Sequence, residues 1–206
     1  MKKKLTVTFI VLLLAVGGAV GWVGYRLFTT GFSAKTEPHV LEVMMARQIR
    51  HLAIPIEKRN TPNPVPFTSE VLKESLAHFA DHCATCHAND GSGQTPIGKN
   101  VYPKAPDLRL PDTQSMSDGE LFWIIHNGIR FTAMPAWGEG DPEKDLDSWK
   151  LVHFIRHLPQ LTAEELEEMK SLNPKTKHEL EEAAAFDRFL QGDDTAVPAT
   201  DGGHHH

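Results

Sequence analysis

The chain has 206 residues, 40% of them hydrophobic, and a formal net charge of −6 at pH 7. That is enough for one domain of ordinary size plus a tail or an anchor. Residues 1–68 carry nine Lys/Arg against three Asp/Glu, residues 69–161 eight against thirteen, and residues 162–206 four against eleven, so nothing outside the N-terminus is basic enough for nucleic acid.

Lys2, Lys3 and Lys4 precede an uncharged run from Leu5 to Tyr25. As a helix that run spans about 31 Å, enough to cross a bilayer core. Trp22 and Tyr25 fall at its far end, where amphipathic rings favour the interface, and the lysines favour a cytoplasmic N-terminus. The competing interpretation is a cleaved secretory signal. The run is long for a signal core, and Phe32-Ser33-Ala34 lacks a small residue at its first position, so a retained anchor is favoured. Gly17 and Gly21 form a G-x-x-x-G, which alone says little about dimerisation.

From Glu37 to Ala53, Leu41, Met45, Ile49 and Leu52 recur on one helical face, with Pro38 suited to a first turn. The pattern predicts a juxtamembrane helix lying on the domain or on the membrane surface. Met44 and Met45 are expected to pack rather than to bind metal. Arg59-Asn60-Thr61-Pro62-Asn63-Pro64-Val65-Pro66 reads as an extended linker.

The next domain is expected from Thr68, with Ser69 as an N-cap and Glu70 in the first turn. Leu72, Leu76, Phe79 and Cys83 follow at helical spacing, while His78 and His82 share the opposite side. This helix delivers Cys83-Ala84-Thr85-Cys86-His87, the C-x-x-C-H attachment sequence of a c-type haem. On one helical turn the two sulfurs lie on the same side and can react with the two vinyl groups on one haem edge. His87 can then supply a nitrogen ligand from the proximal face. A disulfide at this spacing would be strained and leaves the histidine unexplained. Zinc needs about four ligands, and the chain has no second cysteine pair. A thioredoxin-like redox pair expects a preceding strand.

Asn89-Asp90-Gly91-Ser92-Gly93 must turn, and the Gly- and Pro-rich stretch to Pro111 is long for a loop in a compact domain. A large apolar macrocycle gives such backbone something to wrap. Ser117-Asp118-Gly119-Glu120 is a capping box. It opens a helix through Leu121, Phe122, Ile124 and Ile125 that ends at Asn127-Gly128. Met134-Pro135-Ala136-Trp137-Gly138 places a thioether in a loop pinned by proline. Sulfur is a soft ligand that favours ferrous iron, and Met134 is the preferred distal ligand over Met116, His126, His153 and His157. His126 is the closest rival.

Asp145 to Leu158 carries a strong apolar stripe of Leu151, Phe154, Ile155 and Leu158, extended by Trp149 and Val152, and Pro159 stops it. Thr162 and Glu165 make a second capping box for a short acidic helix to about Ser171. A further helix is expected from Lys175 to Leu190, docking one edge through Phe186, Phe189 and Leu190. The tail after Gly192 is expected to be disordered, and Gly202-Gly203-His204-His205-His206 is assigned no function.

Four segments carry a family likeness. They are Cys83 to His87, Tyr102-Pro103-Lys104-Ala105-Pro106-Asp107-Leu108, the run from Asp118 to Arg130, and Met134-Pro135-Ala136-Trp137. From about residue 68 to 160 the chain resembles a class I monohaem cytochrome c with an N-terminal membrane anchor. The resemblance implies an all-α fold whose first and last helices cross, with the haem in a cleft. It also implies one haem c held through Cys83 and Cys86, His87/Met134 ligation, and single-electron transfer. It implies that the Pro106 carbonyl orients the His87 ring, a hydrogen bond that raises ligand basicity. Arg130 and Trp137 are candidates to reach a propionate.

The expected organisation is thus an anchor and flank over 1–36, a juxtamembrane helix and linker over 37–67, a haem domain over 68–161, and an acidic helical extension with a tail over 162–206. The haem domain is expected on the periplasmic or extracytoplasmic side of a bacterial cytoplasmic membrane. The expected role is electron carrier rather than enzyme, serving membrane-bound or exported redox proteins as a tethered shuttle or as a fixed subunit of a dehydrogenase or oxidase. The acidic body fits a partner with a basic docking face or solubility alone. The alternatives are a haem enzyme or gas/peroxide sensor with a displaceable distal ligand, and a metal-binding interaction module.

Overall fold

The structure is a computed structural model that describes residues 2–31 and 33–191. The expected disordered tail and the terminal histidines lie outside the described residues. Every regular element among the described residues is helical. Helix α1 (Lys2–Thr30) is long and apolar enough to cross a membrane and buries nothing against the rest of the chain. Helix α2 (Val40–Ala53) starts later than the sequence pattern implied. His39 is the N-cap, accepting from the Leu41 N–H at Nδ1 (3.3 Å), which leaves Pro38 ahead of the helix.

Helix α4 (Ser69–His78), which follows the short α3 (Ile56–Arg59), is capped by Thr68 rather than Ser69. The Thr68 hydroxyl accepts from the Val71 N–H at 3.2 Å, while Ser69 turns to Glu70. The helix packs on α9 (Leu146–His157), whose stripe forms as expected. Phe79, just past α4, meets Phe154 with ring centroids 4.9 Å apart. On the other side of α9 lies α8 (Asp118–Asn127), with Phe122 stacked flat on Trp149 at 4.1 Å. Burying each such ring removes enough apolar surface to contribute about 2–3 kcal/mol.

The expected capping boxes are both present, Ser117 with Glu120 at the start of α8 and Thr162 with Glu165 at the start of α10 (Ala163–Leu172). Gly128 caps α8 at φ +65°. Helix α10 packs on α4 and the turn after it, and Met169 is wholly buried there. The core therefore draws on a residue beyond 161. The Asn173 amide closes this corner, donating to Asn89 Oδ1 (2.8 Å) and the Ala80 carbonyl (3.1 Å). Helix α11 (Lys177–Leu190) leaves Leu180, Phe186 and Leu190 exposed, so among the described residues Phe186 and Leu190 of the expected docking edge are uncovered, while the Phe189 side chain lies outside what is described.

The segment expected as a linker is extended but not loose. Ile54 and Val65 are buried in the core. α3 lies on α8, where an added side chain on Gly119 would run into the Arg59 carbonyl and the Thr61 nitrogen. The Ser117 hydroxyl donates to the Arg59 carbonyl. Asn63 donates to the Trp149 carbonyl (3.0 Å), and His153 Nε2 reaches the Val65 carbonyl (2.7 Å). Residues 54–66 thus form a strap across α8 and α9.

Candidate haem-attachment site

The helix that carries the attachment sequence is not a regular α-helix. Between Phe79 and Cys83 it widens into a π-helical turn, with the Ala84 N–H bonding to the Phe79 carbonyl, before the short α5 (Ala84–His87). In an α-helix Leu76 and Cys83, seven residues apart, would share a face. The wide turn retards the rotation, by roughly one residue's 100°. Leu76, Phe79 and Ala80 stay buried, while Cys83, packed against the core's edge, and Cys86 are partly buried free thiols. Burial first, and Cys86 second, push the Cys83 thiol up to about 12.

His87 is half-buried. Its Nδ1 is fully enclosed and makes no hydrogen bond of ordinary geometry, and the backbone group that acts on the ring is that of Pro106. Burial lowers the ring's pKa, and the backbone of Pro106 acts in the opposite direction. Phe79 lies beside the ring, with centroids 6.5 Å apart.

Ala88 breaks the helix at φ +61°. The chain then folds straight back under the attachment turn. The Gly93 N–H donates to the His87 carbonyl (2.8 Å), and the Leu108 N–H to the Gly91 carbonyl (2.8 Å). Thr95, the N-cap of α6 (Pro96–Asn100), donates its hydroxyl to the Cys86 carbonyl (3.2 Å) and accepts from the Gly98 N–H (2.8 Å). Gly98 is required by close approach, because a Cβ there would strike the carbonyls of Cys86 and Gly93. Arg109 holds Asp107 in a fork (2.9 and 2.7 Å) and reaches Asp90 (3.0 Å). Its hydrogen bonds draw the Asp107 pKa down. Residues 88–110 therefore form an ordered pad beneath Cys86 and His87.

Met134 lies in a second loop. Its carbonyl accepts from the Ile129 N–H (3.1 Å), and its N–H donates to the Thr132 hydroxyl (3.1 Å). The loop rejoins α8 through Trp137 N–H to the Ile125 carbonyl and Gly138 N–H to the His126 carbonyl, both 3.1 Å. Trp137 sets its ring against His82, edge-on at 5.4 Å, which ties this loop to the attachment turn. Arg130 is exposed.

The rival ligands are engaged elsewhere. His126 is enclosed, with Nδ1 on Asp145 (2.6 Å), Phe122 stacked on its ring, and Gly138 so close that a Cβ would overlap it. Burial opposes the Asp145 charge, but Ser148 and His126 hydrogen bonds outweigh it and hold that carboxyl below its usual range. His153 holds the Val65 carbonyl, and His157 holds Glu165 (2.8 Å). Met116 is buried, with its carbonyl gripped by Arg156.

Sequence reasoning missed Thr95, Gly98 and the Arg109 fork. The signal available for them was the dense Gly/Thr/Pro punctuation after the attachment sequence, which gives a turn but not the surface it folds against.

An all-helical body closed by α4 on α9, with a C-x-x-C-H turn between helix and pad, defines a cytochrome c domain. Residues 71–155 match the family model for the cytochrome C oxidase, cbb3-type, subunit III. The match runs from α4 into α9, so this segment is a cytochrome c domain, consistent with a monohaem protein, and it implies haem-based electron transfer.

Proposed function

We propose that the protein is a membrane-tethered carrier of single electrons, working within or beside an oxidase-type complex on the extracytoplasmic side of the membrane. The observation that carries this reading is the C-x-x-C-H turn itself, with both thiols free and the His87 ring seated over the pad beside the Pro106 backbone. The donor set fits the group: two sulfurs for covalent attachment, an imidazole whose burial disfavours its charged form, and a thioether on the loop that Trp137 ties to the attachment turn. One haem c, when bound, supplies reversible one-electron reduction of its iron.

The chain's own residues supply the rest. Cys83 and Cys86 would hold the group covalently, and His87 and Met134 would ligate its metal. Pro106 would orient the His87 ring through its carbonyl. The pad over 88–110 fixes the backbone of Cys86 and His87 and excludes water from beneath them. Trp137 braces the Met134 loop against His82. Arg130 and Trp137 are the side chains proposed for a propionate. Helix α1 serves as the anchor, with Lys2 to Lys4 on the cytoplasmic side.

An optical redox titration of purified full-length protein tests this. A single one-electron wave is expected, with the weak far-red sulfur-to-iron band in the ferric spectrum and slow carbon monoxide uptake by the ferrous form. High-spin iron with fast ligand uptake would replace the carrier with a haem enzyme or sensor.

A further inference from the structure

Helix α2 has two faces with different fates. At 100° per residue, Leu41, Met45, Ile49 and Leu52 fall within a sector of about 80°. These four side chains are 61–79% exposed. Val43, Arg50 and His51, on the other side, are partly covered. That covered side is fixed to the haem domain. Glu42 contacts the Tyr102 hydroxyl, Glu37 just ahead of the helix contacts Lys104, and His51 Nδ1 lies 3.5 Å from Glu120. Arg59 donates to the His51 carbonyl and to the Ile54 carbonyl (3.1 Å), and Ile54 itself is buried. The helix is therefore tied to the haem domain by these side chains, with an apolar face pointing away from the protein.

We propose that α2 lies in the membrane–water interface, with Leu41, Met45, Ile49 and Leu52 in the acyl boundary of a phospholipid bilayer. Two features select lipid as the occupant. Only residues 31–39 separate α2 from α1, a reach of at most about 30 Å even fully extended, which keeps α2 near the surface that α1 enters. The helix sequence carries two arginines, Arg47 and Arg50, against one acid, Glu42, a net charge whose sign suits a nearby layer of anionic headgroups. Tyr102 and Lys104 belong to the pad beneath the attachment turn. Seating α2 in lipid would therefore set the height and tilt of that turn above the membrane.

The inference rests on α1 being membrane-embedded, and not on the cofactor. The test is full-length protein in vesicles of phosphatidylethanolamine and phosphatidylglycerol, with a photoreactive benzophenone side chain placed singly at Val16, Met45, Leu52 or Lys73. Lipid adducts are expected at Val16, Met45 and Leu52, in roughly tenfold excess over Lys73 on α4. Adducts at Val16 with none at Met45 and Leu52 would overturn the interfacial seat and leave the anchor standing. No adduct at Val16 would overturn the anchor and the seat together. The same labels in native membranes distinguish a protein occupant: adducts of Met45 and Leu52 to a second polypeptide instead of lipid would also overturn the proposal.

Discussion

The two loops that meet the attachment turn, the pad over 88–110 and the loop that carries Met134, are built by different means. The pad over 88–110 is complete in itself. Gly91, Ser92, Gly93 and Gly98 are buried, side-chain and backbone bonds run to Cys86 and His87, and a forked arginine joins two carboxylates. The Met134 loop over 128–141 is bonded within itself between Ile129, Thr132 and Met134 and rejoins α8 at Trp137 and Gly138, but its tip stands clear, with Phe131 93% exposed at φ +62°. The pad is buried under the turn, while the Met134 loop leaves its tip in solvent and reaches the turn through Trp137 and His82.

The largest break in this contrast should come from the two proposed ligands. His87→Ala is expected to abolish stable haem protein, read by mass and pyridine haemochrome absorbance. Met134→Ala should still attach haem but lower the reduction potential, by on the order of 0.2 V within the roughly 0.8 V that axial ligation spans. An unchanged potential would remove Met134 from the iron. Glycines come next. Gly98→Ala should cost about 3 kcal/mol in chemical denaturation, because the neighbours are backbone carbonyls that cannot move aside. Gly140→Ala, at φ +65° with open space around it, should cost about 1 kcal/mol from conformation alone. Equal costs would show the pad to be softer than it looks.

The smallest effect is electrostatic. Arg109 draws the Asp107 pKa below its unfolded value, so the pair contributes stability above that unfolded value, near 4, and loses it as pH falls through the lower folded value. Because Arg109 is more than a third exposed, Arg109→Ala should cost only about 1 kcal/mol at pH 7. The difference from the parent should shrink towards pH 3 in urea melts. A difference that persists there would mean that Arg109 acts by packing rather than by charge.

What was legible in the sequence was what is encoded within one helical turn. The capping boxes at Ser117 and Thr162 depend on partners three residues away, and the stripe of α9 on a 3.6-residue period, so both were visible. The attachment sequence was equally local. Thr68 took the cap from Ser69 through a one-residue competition between adjacent hydroxyls that composition does not resolve. The π-helical turn at Phe79–Cys83 has no residue signature, because it answers to burial of Phe79 and Ala80 on distant helices. His126 looked free to face the pocket because its partner Asp145 is 19 residues on. The exposed Met44 and Met45, expected as packing residues, belong to a helix whose apolar side faces out.

The strap over 54–66 changes what tethering means. A cytochrome domain hung from the end of an unstructured stretch over 31–67 would sweep a wide volume and sample many collision partners. With residues 54–66 fastened to Trp149 and His153, the non-helical stretch between α1 and α2 is 31–39. Encounters are then rationed by lateral drift in the plane rather than by swinging, and a redox neighbour must offer its own entry port at matching elevation.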